Sequence, residues 1–221
     1  MKLVFYSGGQ SSKNKKLHGC LADLVDRKRG RSLTYIPFCA DGAEPFYRRA
    51  IQRYRPYGFT RFHSLSVDTK FTRDDLKRAL DSDVIYLAGG NTFYFLLHLR
   101  KAGLMTRLRD YARGGGVLAG LSAGGLIMTP NIALAGYPSW EADENEVGLE
   151  DLRALGLVDF EFFPHFDRGP RLRRALLRYS RKNKNPILTA HDGGGIIVNG
   201  RFTTLLGHVN MIADGEIHRI S

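Results

Sequence analysis

The chain is poor in cysteine and in acid, and both shortages narrow what it does. It has two cysteines, Cys20 and Cys39, among 221 residues. Two thiols this far apart supply neither the paired spacing of a zinc site nor the bridges of a small secreted scaffold, so a reducing cytoplasmic setting is the expectation. No apolar run approaches the roughly 20 residues that a membrane-spanning helix needs. The apolar block near the start, Leu3 to Tyr6, is too short for the core of a signal peptide. Acidic residues number 22 against 33 Lys and Arg, a formal charge of +11. The excess is scattered over Lys13–Lys16, Arg27–Arg31, Arg48–Arg55 and Arg168–Lys184. It comes with no RNA-binding aromatic motif, zinc knuckle or basic heptad, so solvated helix faces account for most of it. Neither a nucleic acid nor a membrane is expected as partner, whereas an anionic substrate would be drawn in. Repeats, low-complexity tracts and linkers are also missing, so residues 1–221 read as one domain.

Hydrophobic residues make up 43% of the chain, enough for a sizeable core, and they are laid out in alternation. Strand-like runs at 2–6, 33–38, 60–65, 83–88 and 116–121 are separated by helical spacing at 17–27, 46–54, 74–80, 92–101 and 104–112. Strands that alternate with helices pair in parallel through crossovers, which predicts a doubly wound α/β fold with a mostly parallel sheet flanked by helices. In such sheets ligands gather at the carboxyl ends of strands. Three glycine-rich segments fall at those ends: Ser7-Gly8-Gly9, Ala88-Gly89-Gly90-Asn91 and Gly120 to Gly125. Residues 133–151, polar, acidic and holding Trp140, read as a loop excursion that could line a pocket. The last stretch, 186–221, is rich in β-formers and reads as a short antiparallel meander closing the sheet.

The third glycine-rich segment carries the chemistry. Gly116 to Leu121 is an apolar run, Gly120-Leu121-Ser122-Ala123-Gly124 follows, and a second apolar run begins. A buried strand thus stops, the backbone turns sharply and a helix starts with Ser122 at the apex, the pattern of a nucleophile elbow. Its small neighbours allow the tight turn, and the next backbone N–H groups lie at a helix N-terminus where they can face an oxyanion. A glycine-rich turn whose serine only caps the helix would read the same way.

A serine hydroxyl becomes a nucleophile when a base takes its proton. Of seven histidines, His18 and His98 fall on helices, His63 in a strand and His218 near the end. His165 follows the strand-like Val158–Phe163 and Pro164, at the sheet edge where Ser122 should stand, with a basic helix from Arg171 onward. His191-Asp192-Gly193-Gly194-Gly195 follows another short strand, so Asp192 could orient an imidazole, or simply make an Asp-Gly turn. Two triads can be written: Ser122–His165–Asp192, and Ser122–Asp192–His208 in the order of an α/β-hydrolase esterase.

Taken together, Ala88-Gly89-Gly90-Asn91-Thr92-Phe93, Gly120-Leu121-Ser122-Ala123-Gly124 and Pro164-His165-Phe166 resemble the peptidase E group of serine peptidases, family S51, relatives of the cyanophycinases. The likeness runs over most of the chain. It implies a fold like that of class I glutamine amidotransferases (flavodoxin-like), with serine in place of their cysteine. It also implies a cytoplasmic, metal- and cofactor-free dipeptidase, monomer or homodimer, that cleaves small acidic peptides after an N-terminal aspartate. By position, Ser122 is the nucleophile, His165 the base, and the N–H groups of Gly90 and Ala123 the oxyanion hole. The acid departs from the pattern: one family position falls near Tyr137, which cannot serve, and another, a glutamate, falls at Asp192. Asp192 is therefore the expected acid, with Glu141 and Asp143 in reserve. Aspartyl selectivity asks for a guanidinium, which Arg168 or Arg171 could offer. Asn91 is a further substrate contact, and the substrate's α-amino group would seek Glu141, Asp143 or Glu144. A catalytically inactive binding scaffold is the non-enzymatic alternative.

Overall fold

The computed structural model describes residues 1–9, 12–26, 30–166 and 169–221. In chain order its strands are β1 (Lys2–Tyr6), β2 (Arg31–Ile36), β3 (Phe59–Ser64), β4 (Val84–Leu87), β5 (Val117–Leu121), β6 (Glu161–Phe163), β7 (Ile187–Ala190), β8 (Gly195–Asn199), β9 (Phe202–Leu206), β10 (Val209–Ala213) and β11 (Glu216–Arg219). The helices are α1 (Lys15–Asp23), α2 (Ala43–Tyr54), α3 (Arg73–Leu80), α4 (Thr92–Lys101), α5 (Leu104–Arg113), α6 (Ala123–Met128) and α7 (Pro170–Ser180). The large sheet runs β3-β2-β4-β5-β1-β8-β9. Its first five strands are parallel, and β8 and β9 add antiparallel at the far edge.

Period-two alternation explains why the central parallel strands β1, β4 and β5 read as apolar runs. In β1, Leu3 and Phe5 face one core while Val4 and Tyr6 face the other, and β4 divides the same way into Ile85 and Leu87 against Val84 and Tyr86. Both faces of these central strands are buried, whereas the edge strand β3 is partly exposed and carries Thr60, Arg61 and His63. Helices α1 and α2 cover one face and α3 to α6 the other. Two helices start on side-chain caps: Thr72 and Asp75 form a reciprocal box ahead of α3, and the Asn91 side chain accepts from Tyr94 N ahead of α4.

The C-terminal segment departs from the single meander expected of it. Only β8 and β9 extend the large sheet; β7, β10 and β11 join β6 in a second, four-stranded sheet ordered β11-β10-β7-β6. Gly193-Gly194-Gly195 is the physical reason. A Cβ on Gly194 would fall 2.8 Å from the Leu206 carbonyl oxygen, and one on Gly195 2.6 Å from the Leu17 side chain. Only glycine lets the chain cross this closely from one sheet to the other. The first helix begins earlier and ends sooner than its 17–27 spacing suggests.

On the α1–α2 side, His18 is 3% exposed and its Nδ1 lies 3.2 Å from the Tyr6 hydroxyl. Burial, with help from Arg53, lowers its pKa to about 4. The ring is therefore neutral in the fold and takes up a proton on unfolding below its ordinary pKa of about 6.5. Its contribution to stability is full above about pH 6.5 and is lost as pH falls toward about 4, by up to about 1.4 kcal/mol per pH unit. Denaturant midpoints at about pH 7 and about pH 5 should differ accordingly. The difference should shrink in His18→Gln, and an unchanged slope in that variant would assign it to other groups.

Candidate active site

Strands β4, β5 and β1 lie side by side, so the segments after them form one edge of the sheet. Ser122, at the end of β5, adopts a φ of +48°. That conformation costs a non-glycine residue about 1–3 kcal/mol and is held by its surroundings. Ser122 N donates to the Tyr6 carbonyl at 2.9 Å, and its own carbonyl accepts from Gly125 N at 2.8 Å and Leu126 N at 3.1 Å. The glycines around it are forced by crowding: a Cβ on Gly120 would overlap the Gly124 backbone, and one on Gly124 would overlap the carbonyl of Leu87. The elbow anticipated from the Gly-Leu-Ser-Ala-Gly run is therefore present, and its serine supplies no side-chain cap to α6.

The small sheet brings up the partners. His165 stands two residues beyond β6 and Asp192 two beyond β7, and β6 and β7 are parallel neighbours. His165 Nε2 lies 3.1 Å from Ser122 Oγ, and Nδ1 lies 2.6 Å from Asp192 Oδ1. An ionised carboxylate can only accept, so the proton of a neutral imidazole sits on Nδ1 and Nε2 is left to accept from the serine hydroxyl. The side chains of His165 and Asp192 are 43% and 44% exposed, open enough for a substrate to reach the pair. His165 also has a positive φ, +58°.

Sequence reading passed over the residue that holds this pair. Ser7, fully buried at the end of β1, accepts from His165 N at 2.7 Å and donates to the Ala190 carbonyl at 2.8 Å, and it lies 3.4 Å from Asp192 Oδ1. One hydroxyl thus ties the loops carrying His165 and Asp192 to the central strand. Ser7→Ala strands the His165 N–H without its acceptor. The expected cost is about 1–3 kcal/mol of stability, with kcat lowered about tenfold and KM little changed. Unfolding and steady-state kinetics on the same preparation check both. Gly8 leaves room for the pair: a Cβ there would lie 2.5 Å from His165 Nδ1 and 2.7 Å from Asp192 Oδ1. A serine beside two glycines carries no signal in sequence beyond that of a turn.

The other expected residues are spread around a cavity of about 150 Å³ lined by Ser122, His165, Thr92, Glu141 and Asp143 among others. Asp143 Oδ2 accepts from the backbone N–H of Thr92 at 2.7 Å and from its hydroxyl. Both ends of the Asn91 amide are used by the fold, Oδ1 accepting from Tyr94 N at 2.9 Å and Nδ2 donating to the Glu144 carbonyl at 2.8 Å. Asn91 thus fastens the 133–151 excursion to α4. Arg171 lies on the exposed start of α7, its guanidinium 4.0 Å from the centre of the Trp140 ring. Arg168 is outside the described residues. The N–H groups of Gly90 and Ala123 donate to no acceptor among the described residues. Gly90 has a φ of +142°, and its missing side chain makes room for the Phe38 ring. Tyr137 spends its hydroxyl on the Ala175 carbonyl at 2.9 Å. His208, the alternative base, accepts at Nδ1 from Arg219 at 2.9 Å on the small sheet instead of meeting Ser122. No helix among the described residues is long and apolar enough to cross a membrane.

The family model described as Peptidase family S51 matches residues 3–206. The chain belongs to this family. It is a peptidase, as its relatives are named. One, from Listeria monocytogenes, is named "Uncharacterized peptidase Lmo0363" and is 29% identical over 143 residues, covering 64% of this chain and 69% of its own. Another, from Drosophila melanogaster, carries the name "Probable alpha-aspartyl dipeptidase" and is 25% identical over 208 residues, covering 87% of this chain and 79% of its own. Among solved structures, a peptidase from an acI-B1 actinobacterium superposes with a TM-score of 0.74 at 15% identity, over 100% of this peptidase and 93% of that chain. At that identity the superposition speaks for the fold alone, and it agrees with the mostly parallel, helix-flanked sheet.

Proposed function

We propose that this peptidase is a serine dipeptidase acting on small peptides with an N-terminal aspartyl residue, through Ser122 as nucleophile, His165 as base and Asp192 as its orienting acid. The observation that carries the reading is the unbroken hydrogen-bond chain from Ser122 Oγ through both ring nitrogens of His165 to Asp192, 3.1 Å and 2.6 Å long, on a strained elbow.

The reaction is an acyl transfer. Ser122 Oγ attacks the scissile carbonyl carbon while His165 Nε2 takes its proton, and Asp192 steadies the imidazolium that results. The carbonyl oxygen, now anionic, sits against the N–H groups of Gly90 and Ala123, each such donor being worth on the order of 3 kcal/mol of barrier. His165 then hands its proton to the leaving amine, and the C–N bond breaks. Water, deprotonated by the same ring, hydrolyses the ester to release the aspartyl product and restore Ser122.

Selectivity is the finer part of the proposal. A cavity of about 150 Å³ suits a single small residue better than a long side chain. Glu141 and Asp143 on its wall suit the free α-ammonium of an N-terminal residue, which favours an exopeptidase. The aspartyl carboxylate calls for a cation, for which Arg171 beside Trp140 and Arg168 are the candidates, and the name of the Drosophila relative points the same way. The test is hydrolysis of aspartyl p-nitroanilide beside its alanyl, leucyl and glutamyl analogues. The expected result is a kcat/KM for the aspartyl compound at least about tenfold above the others, a difference of about 1.4 kcal/mol. Equal turnover of all four would remove the aspartyl preference while leaving the peptidase intact.

A further inference from the structure

A second cavity, about 490 Å³, opens between the start of α7 and the small sheet, among Arg173, Arg219, His191, Asn210, Phe166 and Ile217. Phe166 follows His165 and His191 precedes Asp192, so this cavity adjoins the loops carrying both, yet neither Ser122 nor His165 lines it. Three elements contribute nitrogen-bearing side chains to its lining: Arg173 from the first turn of α7, Arg219 from β11 and His191 from the loop after β7.

Among the described residues, the charge there has no acidic side chain facing it. No Asp or Glu side chain among the described residues lines the cavity or pairs with Arg173 or Arg219. The start of α7 adds to the imbalance: Gly169 offers no side-chain cap, and the first turn contains no acid. A guanidinium beside the positive end of a helix dipole is repelled unless an anion lies between them. Arg219 is nonetheless held in place, Nε donating to the Ser221 carbonyl at 3.0 Å and Nη2 to His208 Nδ1 at 2.9 Å. Asn210 is its cross-strand partner, so the two side chains share one face of the sheet.

We propose that this cavity is a binding site for a phosphate group, separate from the peptidase centre. A planar carboxylate is saturated by one guanidinium fork, whereas cationic and imidazole side chains from three separate elements around one cavity suit a tetrahedral dianion. The cavity is larger than a phosphate ion, and Phe166 and Ile217 give it an apolar wall. That wall fits the organic part of a small phosphomonoester.

The experiment titrates the Ser122→Ala protein with inorganic phosphate and with phenyl phosphate at constant ionic strength, by calorimetry and thermal unfolding, so that peptidase activity plays no part. Saturable one-to-one binding is expected, weakened at least about tenfold in Arg173→Gln and in Arg219→Gln, and unaffected in Arg181→Gln, a basic residue beyond the end of α7. Phenyl phosphate binding about tenfold tighter than phosphate assigns the site to an ester, and equal affinity assigns it to the free ion. Asn210→Asp supplies a fixed anion, so it should weaken phosphate binding while raising the melting temperature of the ligand-free protein. The proposal is overturned if chloride stabilises the protein as well as phosphate does, or if the arginine and Asn210 variants bind phosphate like the parent.

Discussion

Ser122→Ala and His165→Ala should each lower kcat/KM for an aspartyl substrate by about 10⁴-fold or more, with the fold intact. The size follows from the division of labour. Without Oγ there is no acyl-enzyme, and without Nε2 the hydroxyl keeps its proton, so either loss disables the same unit and the double variant should be scarcely worse than the single ones. On the proposed mechanism, what remains is the catalysis supplied by binding and by the Gly90 and Ala123 N–H groups. Asp192→Asn should be milder, about 10²- to 10³-fold, because its carboxylate is 44% exposed and water can take over part of its hydrogen bond to the imidazole. Circular dichroism and the thermal midpoint, measured beside the kinetics, separate loss of chemistry from loss of fold. More than about a tenth of the parent kcat/KM in His165→Ala would remove that residue as the base. The α/β-hydrolase alternative would then need a base other than His208, which Arg219 already holds.

Much of this centre could be read from the chain because its parts obey local rules. The β4 and β5 runs, and β1 from Leu3 onward, are apolar at every position since both faces are covered, and that pattern is visible without a structure. Gly120 and Gly124 announce the elbow because any Cβ there meets backbone. His165 and Asp192 stand out as polar residues just beyond apolar strands. The rest depends on which strand lies beside which, and periodicity says nothing about partners. The split of the C-terminal strands into two sheets, the Ser7 hydroxyl under His165 and the Arg171–Trp140 stack all join residues far apart in sequence. Asn91 carries the same lesson. Its place in a glycine-rich motif at a strand end suggests a substrate contact, and periodicity does not announce that its amide also caps α4 and anchors the excursion.

Gly8 provides the sharpest separation of catalysis from stability. It is buried beside the triad, and a methyl group there would lie 2.5 Å from His165 Nδ1 and 2.7 Å from Asp192 Oδ1, inside the hydrogen bond that joins them. The cheaper relaxation is for the imidazole to swing away, since its side chain is 43% exposed whereas the β1 backbone is pinned between β5 and β8. Gly8→Ala should therefore fold and melt near the parent temperature but lose about 10²- to 10³-fold in kcat, with KM nearly unchanged, because a shift of about 1 Å in a catalytic group costs about 10²-fold. Gly9→Ala is the control. Gly9 has a φ of +58°, and its Cβ would stand 3.3 Å from the Asp192 Cβ, a tight contact outside the His165–Asp192 hydrogen bond. That substitution should cost about 1 kcal/mol of stability through backbone strain, with a far smaller loss of kcat. Full activity in Gly8→Ala would mean that the 2.6 Å separation of His165 and Asp192 is not the geometry in which the peptidase turns over. The acid would then have to be sought at Glu141 or Asp143, on the wall of the same cavity.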